Sequence, residues 1–188
     1  MSAAKTALLV IDVQRGIVDD PSLVRKKEIN QALDDTVARI AGLIVRARAA
    51  SVRVIFVQHD GSRGHRLEPG TSGWPLRPEI APQAGEPVIR KRACDAFFET
   101  TLGAELAAAG ITRLVICGCM TQYCVDTTVR RAVSLGYDVV LAADGHMTAD
   151  MGGLRFEQII AHHNAVLDGF DAGEHRVRVF PSAEIRFA

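Results

Sequence analysis

Asp12, Lys91 and Cys124 are the residues of this chain whose types and positions could do chemistry together. Asp12 ends an apolar run that starts at Ala7, where a carboxylate is unfavourable unless something pairs with it. Lys91 closes a short β-rich run and is one of only four lysines among 22 basic residues. Cys124 follows RLVIC and the turn CGCMTQY, in what reads as the first turn of a helix, where the dipole and free N–H groups favour a thiolate. Each alone has an ordinary reading: a structural ion pair, a solvated lysine, an inert buried thiol. Jointly they read as a nucleophile (Cys124), a general base that takes its proton (Asp12) and a cation that keeps the base ionised and stabilises developing negative charge (Lys91). Free N–H groups of the turn would then serve as an oxyanion hole.

Such a unit needs elements that bring residues 12, 91 and 124 to one edge. Hydrophobic periodicity supplies them as strands over residues 7–13, 52–58, 87–90, 113–117, 138–143 and 176–180. Helices are expected over 29–50, 102–109, 123–135 and 154–167, with Leu33, Val37, Ile40 and Ile44 on one face of the first. Between 59 and 86 the chain is too rich in Gly and Pro for a regular element, and long loops in compact domains tend to be functional. Apolar strands alternating with helices predict a three-layer α/β fold: a mostly parallel six-stranded sheet, Rossmann-like, with helices on both faces. Ligands of such sheets bind at the carboxyl ends of the strands, where all three residues fall.

The 188 residues carry no linker or composition shift, so a single domain over 1–188 is expected. At 48% hydrophobic and 23% charged, a chain this long buries about 70% of its surface on folding without staples. Twenty-two basic residues balance 22 acidic ones, which argues against nucleic-acid and membrane-surface partners and for a small-molecule substrate. The first apolar run is too short for a signal-peptide core, and no stretch approaches the roughly 20 residues that span a bilayer. Cys94, Cys117, Cys119 and Cys124 are not spread like a disulfide framework, so a reducing cytoplasm is the expected location.

The segments LLVIDVQ (8–14), VIRKRACDAFFETTL (88–102) and LVICGCMTQYCVDTTVRRAVSLGYDVVLAADG (114–145) resemble, in order and spacing, the isochorismatase-like cysteine hydrolases, the superfamily of nicotinamidases and N-carbamoylsarcosine amidase. The likeness runs from about residue 6 to 180. It implies that Asp12, Lys91 and Cys124 are the family's catalytic triad, and that a non-proline cis peptide joins Cys119 and Met120. The backbone N–H groups of Met120 and Cys124 would form the oxyanion hole. The implied reaction is hydrolysis of a C–N bond in a small amide, carbamoyl or ureido substrate through a thioester. A vinyl-ether hydrolase or a non-catalytic binding member of the fold are the alternatives. No cofactor is implied, and a homodimer or higher homo-oligomer is expected.

Departures from the family pattern qualify the reading. The QHDGSRGHRL segment places His59, Asp60 and His65 at a spacing unlike the nicotinamidase metal site, so no metal is expected. Ile17 stands where an aromatic is usual and should change one pocket wall. Cys117, Cys119 and Cys124 could hold zinc, although no close histidine or second CxxC completes four ligands. Cys94 reads as a small packing residue. Gln14, Trp74 and Tyr123 are candidates to line the substrate pocket.

Overall fold

The strand Thr6–Ile11 (β1) is buried along its whole length because both faces are covered. Ala7, Leu9 and Ile11 point into one hydrophobic cluster, Leu8 and Val10 into the other. That alternation holds in every neighbouring strand and divides the core into two layers. In this computed structural model, which describes residues 5–20 and 22–187, the chain continues as α1 (Lys26–Ala49), β2 (Arg53–His59), β3 (Val88–Lys91), α2 (Leu102–Ala108) and β4 (Arg113–Cys119). It ends with α3 (Asp126–Ser134), β5 (Asp138–Met147), α4 (Phe156–Leu167), β6 (Asp171–Ala172) and β7 (His175–Phe180).

The sheet order is β3-β2-β1-β4-β5-β7-β6. Every pairing is parallel except the two-residue β6 against β7. This small return makes seven strands where periodicity suggested six, since two residues are too few to leave a hydrophobic period. On α1 the stripe Ile29, Leu33, Val37, Ile40, Leu43, Ile44 and Ala47 packs on the face that carries Leu8, Val10, Phe56 and Val140. Leu102 and Leu106 of α2, with Val129 and Val133 of α3, cover the other face. Among the described residues no helix is long and apolar enough to cross a membrane.

Two differences from the sequence reading bear on the site. β5 runs to Met147 instead of ending near 143, and its pairing with β4 shifts between Ile116 and Gly118, so that His146 lies beside Gly118. The polar Asp144 and Gly145 lie in this irregular stretch, where the apolar pattern and the ladder are both interrupted before pairing resumes at His146. Residues Thr121–Val125 form a single π turn, closed by the Val125 N–H on the Met120 carbonyl at 3.2 Å, before α3 begins. Cys124 therefore sits in a wide turn ahead of the α-helix and not in its first turn, a type of irregularity frequent at functional sites.

Order reversal at β1 and β4 opens the crevice where β1 and β4 end. Their approach is closest at Gly118, which pairs with Ile11, has φ +128° and leaves no room for a Cβ against the Ile11 backbone. Gly118→Ala is expected to destabilise the protein by about 2 kcal/mol or more, combining a disfavoured φ with a backbone clash. Urea unfolding followed by circular dichroism measures it, with Gly42→Ala, where a Cβ meets nothing, as the control that should not destabilise.

Candidate functional site

Asp12 lies one residue beyond β1, its N–H still bonded to the Val57 carbonyl at 2.9 Å. Its φ of +50° is in the left-handed region, which Asp tolerates better than most residues. Lys91 is the last residue of β3 and pairs in register with His59 of β2. The turn after β4 carries Cys124. One sheet edge thus receives a carboxylate, an ammonium and a thiol from three separate segments.

The side chains of Asp12 and Lys91 are fully buried, with Lys91 Nζ 2.6 Å from Asp12 Oδ2. The same ammonium donates to Cys124 Sγ at 3.1 Å and to the Ala93 carbonyl at 2.9 Å. Ion pairing to the carboxylate and hydrogen bonds to a thiol and a carbonyl thus meet on one ammonium. Burial raises the Asp12 pKa well above the usual carboxylate range, against the lowering influence of Lys91. Burial works against charge on Lys91 too, yet the nearby Asp12 and Cys124 leave its pKa raised. The pair is thus a cation beside an unusually basic carboxyl group.

Cys94, read from the sequence as a packing residue, is partly buried against the cluster that holds Cys124. The neighbouring Cys124 lowers Cys94 to about 6, while Cys94 raises Cys124, which burial raises further. Lys91 lowers both. The Thr128 hydroxyl fixes the Cys94 segment against the start of α3, donating to the Cys94 carbonyl at 3.3 Å and accepting from the Ala96 N–H at 3.1 Å. The sequence signal was there in the three-residue spacing from Lys91, but nothing in the sequence places position 94 against position 124.

Cys117 and Cys119 are buried in the α1-side cluster, whereas Cys124 belongs to the opposite one, so the sheet itself divides the three thiols. Burial raises both Cys117 and Cys119, as befits inert packing thiols. The peptide bond joining Cys119 to Met120 is cis. Tyr123 and Val125 both give their N–H groups to the Met120 carbonyl, at 3.1 and 3.2 Å.

Asp12, His59 and Cys124 offer donor atoms within 4.8 Å of one another, the arrangement a metal ion would use. Lys91 Nζ lies among them, 3.4 Å from His59 Nδ1, so a cation already fills that centre. Asp60 and His65 do not join the group. Asp60 is held by Arg90 at 2.6 Å and by Trp74 Nε1 at 3.0 Å, and His65 Nδ1 accepts from the Leu67 N–H at 3.1 Å. Burial first, then Lys91, pushes His59 down to about 4, which keeps it neutral near pH 7.

Gln14 and Trp74 meet at the loop after β2, and Tyr123 lies on the turn before α3. Gln14 is fully buried, donating to the His59 and Trp74 carbonyls at 3.0 and 2.7 Å and accepting from the His59 N–H at 3.0 Å, so its side chain is spent on holding the loop. Trp74 pins the same loop, with the Arg90 guanidinium 4.4 Å over its ring. Tyr123 is exposed and its hydroxyl lies 3.1 Å from Met151 Sδ. Ile17 is buried in the α1-side core. A cleft of about 580 Å³ reaches His59 and is lined by Arg63, His65, Glu68 and Arg92. Another of about 370 Å³ opens on Lys91, between Arg92, Phe98 and Glu99. The cleft of about 590 Å³ along Lys5, Arg53 and Ile111 lies at the opposite ends of the strands, away from these groups.

Lys91→Met leaves Asp12 buried without its cation and is expected to cost about 3–5 kcal/mol in urea unfolding; adding Asp12→Leu should recover part of that loss. Cys94→Ala removes the largest influence that raises Cys124. Iodoacetamide labelling of the Cys124 peptide, followed by mass spectrometry across pH, should then begin at lower pH than in the parent protein; an unchanged onset would break the link between the thiols.

A model of the isochorismatase domain matches residues 6–164. A streptothricin hydrolase from Streptomyces noursei is 43% identical over 145 residues, 77% of this chain and 50% of that one. The chain spans about half the length of that relative. A ureidoacrylate amidohydrolase from Variovorax paradoxus is 29% identical, covering 84% of this chain and 74% of that one. The crystal structure of an isochorismatase from Pseudomonas putida superposes with a TM-score of 0.84 at 32% identity, covering 97% of this chain and 90% of that one. With the fold, the sheet-edge cluster and these likenesses in agreement, the chain belongs to the isochorismatase family of hydrolases.

Proposed function

We propose that the chain hydrolyses a C–N bond of a small amide, carbamoyl or ureido substrate through a thioester on Cys124. The observation that carries this reading is the single Lys91 ammonium touching both Asp12, at 2.6 Å, and the Cys124 thiol, at 3.1 Å. An amidohydrolase among the relatives supports the choice of bond.

The reaction follows from the proton inventory. Cys124 rests as a thiol, and the carboxylate of Asp12, made more basic by burial, takes its proton as sulfur attacks the substrate carbonyl. Negative charge passes to the carbonyl oxygen, where the N–H groups of Met120 and Cys124 receive it. Tyr123 and Val125, whose N–H groups are taken by the Met120 carbonyl, are not available for this. The oxyanion collapses, the C–N bond breaks, and Asp12 gives its proton to the departing nitrogen, leaving a thioester and ammonia or an amine. Asp12 then takes a proton from water as the water attacks the thioester, and returns it to the departing sulfur. Throughout, Lys91 stays an ammonium that balances whichever of its two partners is negative.

Release of ammonia or amine across a panel of small amides, carbamoyl compounds and ureides tests the proposal. Cys124→Ala should lower turnover on the best substrate by about 10³-fold or more, and Asp12→Asn by a similar order. Rapid quenching and mass spectrometry should find the acyl group on the peptide that carries Cys124. Turnover of an amide that survives Cys124→Ala would overturn the thioester route, and cleavage of a vinyl ether with no amide hydrolysed would overturn the bond assignment.

A further inference from the structure

The turn that carries Met120 and Cys124 is held from behind by a buried chain of hydrogen bonds. His146, on the extended end of β5, is 1% exposed. Its ring Nδ1 lies 2.9 Å from the Thr121 hydroxyl, and its Nε2 lies 2.9 Å from Asn164 Oδ1 on α4. Thr121 itself is wholly buried.

These contacts fix the protons. Asn164 Nδ2 donates to the Ala143 carbonyl at 3.0 Å, which turns the amide oxygen toward His146. That oxygen only accepts, so His146 Nε2 must carry the hydrogen. Nδ1 is then bare, and the Thr121 hydroxyl must donate to it. Burial keeps the ring neutral by pushing it down to about 4, with Asn164 opposing and His163 and Asp144 adding smaller influences.

We propose that His146 is a positioning residue: as the neutral Nε2–H tautomer it ties Asn164 to Thr121 and so fixes the turn that presents Met120 and Cys124. Its side chain is hydrogen-bonded to Thr121 and Asn164 and not to Asp12, Lys91 or Cys124, so its side-chain bonds act on the turn through Thr121. The kinetic consequence rests on the proposed function; the tautomer and the placement of Cys124 do not. Displacement of a reacting group by about 1 Å costs on the order of 10²-fold in rate, which sets the scale of the effect.

The substitutions His146→Phe and His146→Gln separate filling from bonding. Phe keeps the ring volume with neither hydrogen bond, and Gln restores one donor and one acceptor. On the best amide found, His146→Phe should lower kcat about 10²-fold with KM within about twofold, and His146→Gln should regain most of the loss. Thr121→Val should copy His146→Phe, Thr121→Ser should stay near the parent, and combining Thr121→Val with His146→Phe should add little. Alkylation of the Cys124 peptide by iodoacetamide, which needs no substrate, should slow in both deficient variants while circular dichroism shows them folded. If His146→Phe fails to fold, the Thr121 pair carries the same comparison.

Long-range 1H–15N spectra of the unsubstituted protein at pH 7 should show one histidine with Nε2 protonated and Nδ1 bare that disappears in His146→Gln. An Nδ1–H tautomer, or folded Thr121→Val with parental kcat and alkylation rate, would overturn the proposal. Absence of amide turnover in the parent would sink the proposed function and leave the spectra and alkylation to decide on His146.

Discussion

One buried ammonium sets the constraint around which this end of the sheet is built. Lys91 brings a full positive charge into a region from which its side chain is wholly excluded from water, and such a charge persists only with partners of opposite or acceptor character. It is ion-paired with Asp12 and donates to Cys124 and the Ala93 carbonyl, that is, it meets the end of β1, the turn after β4 and its own strand's continuation. Strand order β3-β2-β1-β4 is what makes this geometrically possible, because β1 and β4 end side by side and only β2 separates β3 from β1. A compact point charge with three independently aimed donors suits three acceptors in different directions, where the planar fork of arginine would not. The chain, with eighteen arginines, places a lysine at this position.

The long segment between β2 and β3 is fastened by the same economy of polar groups. Gln14, just past Asp12, clamps the His59 backbone on both its N–H and its carbonyl and reaches the Trp74 carbonyl. Trp74 is bonded to Asp60, and Asp60 to Arg90, the residue before Lys91. Each link ties the loop to a residue adjacent to the cluster, so the loop and this sheet edge share one frame. Gly73 fits this packing because a Cβ there would run into the Arg66 carbonyl.

How far the sequence reveals this can be judged element by element. Strands buried on both faces, such as β1 and β2, announce themselves as unbroken apolar runs, and the positions of Asp12, Lys91 and Cys124 at run ends are enough to bring them to one edge. The seventh strand is invisible because two residues have no period. The extension of β5 past Asp144 and Gly145 is hidden because an irregular, polar stretch separates the apolar run from the pairs that resume at His146 and Met147. Gln14 shows the same limit at the site: its spacing from Asp12 suggested a pocket residue, but β1 ends at Ile11 and the chain turns at Asp12, so alternation no longer dictates direction. Cys94 and His146 needed the tertiary structure, since their partners lie 30 residues away and 25 residues away along the chain.

The protonation states around the site are mutually dependent. His59 approaches Lys91 to 3.4 Å, and a second cation there would compete for Asp12 and oppose the first. Lys91 in turn is one of the influences that keep His59 neutral, after burial. A neutral His59 leaves Asp12 with one cationic partner and Cys124 with one ammonium to balance a developing thiolate. His146, buried and neutral on the far side of the turn, contributes no charge either and acts purely as donor and acceptor. The cluster therefore holds the Asp12 carboxyl group, an ammonium and the Cys124 thiol; burial raises the affinity of Asp12 for a proton, while Asp12 and Cys124 together leave Lys91 with a raised pKa and its charge.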